Sequence, residues 1–297
     1  MKTSAFRHLL TAILAAALAL PLPALAQSFT TLRDISSIRS AGMGNATRAF
    51  ASSDEALWVN PAGIAATTRF NINASAAFEP PNGLQLYSIG SIDSQLNSDA
   101  AFPMSGGLSY SYYRSGHGEA KRSGSIALLG LALPLWNQAF TVGVTGKYLY
   151  LNGASDTNAA TMDVGVILRP ISLLSIGAVG YNLIDVHSIE ARRSWGFGVA
   201  LGNDNSFRLA FDLKLEPNEL DEWKVSYFAG AEYLFGGVVM PRVGYTYDAL
   251  RQTHKAGGGV SVFLGVLALE GAYQYIFDGG HFFGFTLRVL GLGGGAT

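Results

Sequence analysis

Phe207-Arg208-Leu209-Ala210-Phe211-Asp212-Leu213-Lys214-Leu215-Glu216 is the stretch that decides the architecture. Phe207, Leu209, Phe211, Leu213 and Leu215 fall on one face. Arg208, Ala210, Asp212, Lys214 and Glu216 fall on the other. Side chains of a strand alternate sides in this way, whereas a helix would scatter the charges around its axis. The pattern repeats on either side. Trp223, Val225, Tyr227, Ala229, Ala231, Tyr233 and Phe235 oppose Lys224, Ser226, Gly230 and Glu232. Val239, Val243, Tyr245 and Tyr247 oppose Arg242, Thr246 and Asp248. Phe140, Val142, Val144, Tyr148 and Tyr150 oppose Thr141, Thr145 and Lys147, and the same holds for Leu267, Leu269, Tyr273 and Tyr275 against Glu270 and Gln274. Phe283, Phe285, Leu287 and Val289 oppose Thr286 and Arg288.

Extended along the chain, this reading gives strands over 69–78, 84–90, 104–113, 123–133, 139–151, 160–169, 173–182, 193–202, 206–215, 222–235, 238–247, 255–264, 266–276 and 281–290. The total of fourteen is even, as closed bacterial barrels require. The fourth strand is apolar on both faces, so its register is unreadable. Connections after odd strands are longer than those after even ones, the asymmetry of outer loops against periplasmic turns. The connection 91–103 departs from that rule. Aromatics sort by strand parity. Tyr110, Tyr112, Tyr148, Tyr150, Tyr245, Tyr247, Tyr273 and Tyr275 end odd strands, and Trp195, Trp223, Phe282 and Phe283 begin even ones. In an up-and-down barrel these positions share one rim, at the membrane interface that amphipathic rings prefer. A β-sandwich gives no reason for such sorting. The expected fold is therefore all-β: a fourteen-stranded antiparallel transmembrane β-barrel over 69–290.

Composition agrees. Of 297 residues, 49% are hydrophobic and 14% charged, the latter against about 25% in ordinary soluble domains. There are 36 Gly, 13 Tyr and 17 Phe, a balance opposite to that of disordered chains. The formal charge of -1 lacks the basic bias of a nucleic-acid binder. With no Cys, disulfides, thiolate metal sites and a cysteine nucleophile are excluded. Lys2 and Arg7, the apolar run Leu9 to Leu20 and the small residues Ala24-Leu25-Ala26 read as a cleaved signal peptide over 1–26. Residues 291–297 are expected to form a tail.

Residues 27–68 carry no clear strand. Ser36 to Ala51 and Ser53 to Val59 have short helical patterns. Ser53 is expected to cap a helix over 54–59, and Asn60 to cap the next turn with Pro61 at its first position. Gly42, Gly44 and Gly63 permit close packing. The product is a compact unit narrow enough for a barrel interior. The two stretches that carry it are Arg39-Ser40-Ala41-Gly42-Met43-Gly44-Asn45-Ala46 and Ser53-Asp54-Glu55-Ala56-Leu57-Trp58-Val59-Asn60-Pro61-Ala62-Gly63-Ile64-Ala65.

These stretches resemble the FadL-like family of outer-membrane transport proteins, including small PorV/PorQ-type barrels. The resemblance is specific over 39–65 and one of style beyond it, as in Arg242 to Asp248 and the closing strand. It implies that 27–68 form an N-terminal helical hatch that plugs the barrel, with Gly42, Met43, Gly44, Asn60, Pro61, Ala62 and Gly63 at the hatch or gate. It also implies outer-membrane uptake of hydrophobic small molecules, such as long-chain fatty acids or aromatic hydrocarbons. Outer connections of only about five to ten residues separate this chain from full-size members. The alternative reading is a PorV-like docking component of a secretion or cell-surface machine, whose partner would be a protein of that machine.

The residues expected in the lumen are Lys147, Arg208, Asp212, Lys224, Glu232, Arg242, Glu270 and Arg288, together with Asp163, Lys214 and Asp248. Both signs occur, so the reading is an internal charge network holding a plug, with a charged-headgroup site as the sharper alternative. Phe228, Leu234 and Phe263 are apolar on faces expected to point inward and are candidates for a substrate path. His117, His187, His254 and His281 show no metal-ligand spacing. His281 and Ser261 lack the context of a serine hydrolase. Gly257-Gly258-Gly259 has no following helix or Lys-Ser/Thr, and marks a strand bend or a close approach of the plug. No enzyme activity, cofactor, metal or nucleic acid is expected, and the partner of the outer wall is outer-membrane lipid.

Overall fold

The computed structural model describes residues 37–66, 70–94, 103–118, 121–136, 138–153, 156–186, 188, 191–218, 222–277 and 279–291. The signal-peptide reading and most of the 291–297 tail lie outside them.

Fourteen strands run in sequence: β1 (Phe70–Glu79), β2 (Leu84–Asp93), β3 (Ser105–Ser115), β4 (Arg122–Leu135), β5 (Phe140–Gly153), β6 (Thr157–Ile171), β7 (Leu174–Tyr181), β8 (Ser194–Gly202), β9 (Phe207–Pro217), β10 (Trp223–Tyr233), β11 (Val239–Asp248), β12 (Thr253–Leu264), β13 (Leu267–Ile276) and β14 (Gly280–Leu290). Each pairs antiparallel with its neighbours, and β1 pairs with β14 to close the ring. Closure leaves no strand edge unpaired. Every expected strand is present, with ends shifted by a few residues. β10 stops at Tyr233, and Phe235 instead makes an isolated bridge to Val239 across the Gly236-Gly237 turn.

The alternation that marks β9 in the sequence becomes two environments. Phe207, Leu209 and Phe211 are exposed on the outside, while Arg208, Ala210, Asp212, Lys214 and Glu216 are buried on the inside. β4 resolves the same way. Ile126, Leu128 and Ala132 face in, and Leu129 and Leu131 face out. Most rim aromatics face outward as expected, Tyr110, Tyr112, Tyr148, Tyr150, Trp195 and Trp223 among them. Phe282 is the exception: it points inward and packs on the lumen core. His281 faces out beside Tyr273, so the side chain before it takes the rim place.

Residues 37–66 lie inside this ring and are buried almost throughout. They form α1 (Ile38–Gly42), α2 (Glu55–Val59) and a 3-10 turn (Pro61–Ile64). Ser37 caps α1, its Oγ accepting the Ser40 amide at 3.0 Å. The helical pattern over 36–51 yields one turn of helix, which ends where Gly44 and Asn45 take left-handed backbone at φ 60° and 62°. Gly44 is needed there twice over. A β-carbon on it would also lie 2.8 Å from the Tyr245 carbonyl oxygen in β11. Ser53 does not cap α2. It adopts φ 60° and gives its hydroxyl to Asn71 of β1 at 2.7 Å, leaving Asp54 as the first residue before the helix. Asn60 does cap the 3-10 turn, accepting the Ala62 amide at 3.2 Å, with Pro61 at the first position.

Candidate functional site

The lumen and its contents are the candidate site. The segment 37–66 meets the wall in two different ways around the ring.

Toward β9–β14 the contact is ionic. Arg39 of α1 reaches Glu232 of β10 at 2.5 Å, and Arg208 of β9 and Arg242 of β11 reach the same carboxylate at 3.0 and 3.5 Å. Arg39 lies 3.8 Å from Glu55 of α2. Arg288 of β14 pairs with Glu270 of β13 at 2.9 Å and with Asp54 at 3.7 Å. Phe50 lies between two guanidinium groups, 5.1 Å from Arg39 and 4.2 Å from Arg208. These side chains are buried, so each charge depends on its partners rather than on water. A second group sits around β5–β9. Asp212 accepts the Arg48 amide at 2.8 Å and its guanidinium at 3.1 Å. Arg48 also donates to the Tyr181 hydroxyl, which in turn donates to the Val59 carbonyl at 2.6 Å. Lys147 pairs with Asp163 at 2.5 Å and Lys214 with Glu216 at 2.6 Å.

Toward β3–β6 the contact is apolar and close. Leu57 and Ile64 pack with Leu86, Tyr113, Ile126, Leu128, Leu149 and Leu151. The wall is cut back where the segment touches it. A β-carbon at Gly143 would overlap the Pro61 carbonyl, one at Gly165 the Asn60 side chain, and one at Gly177 the Arg48 carbonyl. Gly230 and Gly244 bear likewise on Met43 and Gly44, and Gly284 on Ile38. At Gly257 the Ala41 carbonyl would be 2.8 Å away, so the glycine run 257–259 marks a close approach of the segment. Asn60 ties the seat together, its amide donating to the Arg48 carbonyl at 2.8 Å and the Val166 carbonyl at 3.2 Å.

The expected lumen charges thus divide. Arg208, Glu232, Arg242, Glu270 and Arg288 form one cluster, while Asp212 and Lys147 belong to the second. Lys224 belongs to neither. Its side chain is 40% exposed at the rim and, among the described residues, pairs with Glu222 at 2.9 Å, because β10 begins at Trp223 and leaves its first inward position beside water. The candidate path residues do not converge either. Phe228 is buried against Arg48, 4.6 Å from the guanidinium, and packs with Met43 and Phe50. Leu234 follows the last residue of β10 in the turn, and Phe263 is next to the last residue of β12, both at the short-turn end. The segment's own charges, Arg39, Arg48, Asp54 and Glu55, complete both clusters. Their signal in the sequence is four charges in an otherwise small and apolar stretch that must be buried.

Ser261 and His281 are separated. Ser261 faces the lumen and accepts from Arg242 at 2.6 Å, whereas His281 is on the outer face with its Nδ1 2.8 Å from the Tyr273 hydroxyl. His254 is likewise outward, against Tyr247 and hydrogen-bonded to Tyr245. His187 lies outside the described residues. A concavity of about 840 Å³ lies on the outward wall of β8–β11, lined by Leu201, Leu209, Phe211, Ala229, Ala231 and Val243. It lies on the outer face of the barrel rather than in the lumen.

Burial pushes the Glu55 carboxyl from its ordinary 4.5 up to about 7, against the pull of Arg39 and with Glu232 and Glu270 adding to the rise. Asp54 moves in the same direction for the same reason. A carboxyl raised on folding favours the folded state while it is protonated in both states, and this advantage shrinks as pH climbs from 4.5 toward 7. Glu55→Gln is therefore expected to flatten the pH dependence of stability across that interval and to raise stability at pH 8. Urea midpoints of refolded protein at pH 4.5, 6 and 8 check it. A parent and variant that lose stability in parallel would refute it.

The Pseudomonas putida toluene transporter TodX superposes with a TM-score of 0.62 at 12% identity, over 88% of this chain and 99% of that one. The resemblance to the FadL-like family is one of fold. A deltaS2 mutant of the TodX monoaromatic hydrocarbon channel matches with a TM-score of 0.56 at 11% identity, over 87% of this chain and 98% of that one. No protein-family model matches the sequence, and no curated protein does.

Proposed function

We propose that this chain is an outer-membrane barrel of FadL type that takes up hydrophobic small molecules, with residues 37–66 acting as its hatch. The observation that carries the reading is the seat of that segment. It spans from the ionic cluster on β9–β14 to the apolar wall of β3–β6, within a barrel of the fold found in a toluene transporter. Ionic anchoring on one side and greasy packing on the other suit a stopper that stays attached while its apolar part shifts. Asn60 and Pro61, with Ala62 and Gly63 behind them, are the moving part in this reading, and Gly42, Met43 and Gly44 the fixed one. An apolar compartment with a few polar groups is what a hydrophobic ligand needs.

The test is uptake. Cells producing the barrel, with insertion shown by heat-modifiable gel migration, are expected to accumulate a labelled long-chain fatty acid or alkylbenzene faster than empty-vector cells. Equal rates would refute the transport reading. The second reading, a docking barrel for a secretion or surface machine, draws on the short outer connections, such as 80–83 between β1 and β2. A stoichiometric protein partner on purification, without co-purified lipid or hydrocarbon, would favour it.

A further inference from the structure

The connections at the short-turn end are greasy. The segments 135–139, 171–173, 234–238 and 264–266 contain no Asp, Glu, Lys or Arg. Their apolar tips are turned outward. Trp136 is 78% exposed, Ile171 61%, Phe235 57% and Leu264 55%, and Leu173 and Val238 are exposed as well. Turns that project into water are usually built from Asn, Asp, Ser and Gly. The β8–β9 connection, Asn203-Asp204-Asn205-Ser206, is of that kind, with Asp204 held by Arg208 at 2.8 Å.

The height of the apolar band sets the level of the four apolar turns. On β10, Trp223 and Tyr233 are both exposed on the outer face, ten residues apart. At about 3.4 Å per residue and a tilt of about 40°, this is roughly 25 Å along the axis. Phe140 and Tyr150 stand at the same separation on β5. The apolar exterior of a membrane barrel is about 25 Å tall, with an aromatic girdle at each edge. Its inner edge therefore passes through Phe140 and Tyr233. Those two rings touch the turn tips directly: Phe140 lies 5.8 Å from Trp136, and Tyr233 lies 4.5 Å from Phe235.

We propose that these four turns are a lipid-contact surface, set into the headgroup region of the inner leaflet with phospholipid as the occupant. The surface is continuous with the lipid-facing wall. The four segments also carry no charged residue, whereas the rim of a protein–protein interface is polar. The inference rests on the membrane reading of the barrel. Its consequence is that, among the short turns, only 203–206 offers a polar face to a water-soluble partner.

The chain has four tryptophans, Trp58, Trp136, Trp195 and Trp223, and no cysteine. Two variants of the full chain keep only Trp136 or only Trp223, the other three being changed to phenylalanine. Both are refolded into phosphatidylcholine vesicles with acyl chains brominated close to the glycerol. The expected result is more than half of the emission quenched in both, with Trp136 several-fold less accessible to iodide than free tryptophan. Trp223 quenched by lipid with Trp136 open to iodide would overturn the proposal and leave the turns to a protein. Neither quenched by lipid would overturn the membrane reading itself. Should the Trp58 change disturb folding, Phe235→Cys in the parent chain carries a polarity-sensitive dye. Emission of a buried kind supports the proposal, and emission of a water-exposed kind refutes it.

Discussion

Gly143→Leu is expected to turn a closed barrel into a leaky one. A β-carbon at this place overlaps the Pro61 carbonyl, and the rest of a leucine would fill the space held by Ala62. Either β5 or the 3-10 turn has to move. β5 is laddered to β4 from Phe140 to Gly153 and to β6 from Phe140 to Leu151. Displacing it breaks many backbone bonds, each worth about 1 kcal/mol. Displacing 60–64 loses the two Asn60 bonds and part of the Ile64 packing, so the turn yields first. Ion conductance in planar bilayers is expected to rise by at least an order of magnitude, while heat-modifiable migration of the barrel is kept. Gly146→Leu, on the outer face of the same strand, is the control. Its nearest neighbour would be the Leu129 carbonyl at 3.8 Å, and no rise is expected. Equal conductance in the two variants would show that the close seat at Gly143 does not hold the barrel shut.

Glu232→Leu has the largest expected cost in stability. Three guanidinium groups, Arg39, Arg208 and Arg242, share this carboxylate, and all are buried. Removing it leaves positive charges facing one another away from water. Breaking a buried pair in this way costs about 3–5 kcal/mol. Adding Arg39→Met to Glu232→Leu removes one of the stranded charges and should recover part of the loss, which a double-mutant cycle in urea measures. Lys224→Met makes the contrast. Its pair with Glu222 is solvent-exposed, and such pairs contribute about 0–1 kcal/mol. If Glu232→Leu and Lys224→Met cost the same, the inward cluster has no special energetic role.

Much of this architecture was legible because a barrel wall has two solvents. An apolar exterior and a polar lumen write period-two alternation into β9 and β10, and no tertiary contact is needed to read it. β4 escaped because its inner face packs on Leu57 and Ile64, which makes both faces apolar. Phe282 was misplaced for the same reason: the outer half of the lumen is greasy on that side, so an inward aromatic looks like a rim aromatic. The N-terminal segment was legible as small and compact but not in its turns. Its conformation is dictated by the wall. Ser53 leaves its capping role to bond Asn71, and Gly44 turns left-handed to fit against Tyr245. The charge partners lay beyond reach because Arg39 and Glu232 are separated by 193 positions, and nothing local couples them. Lys224 has the right parity for the lumen, but parity says nothing about depth.

The central claim, that residues 37–66 stopper a closed barrel, is tested most directly by comparing single-channel conductance of the intact chain with that of a chain lacking those residues. The account predicts a sealed intact protein and a steady open pore on deletion. An intact protein that conducts as freely as the deleted one would contradict it.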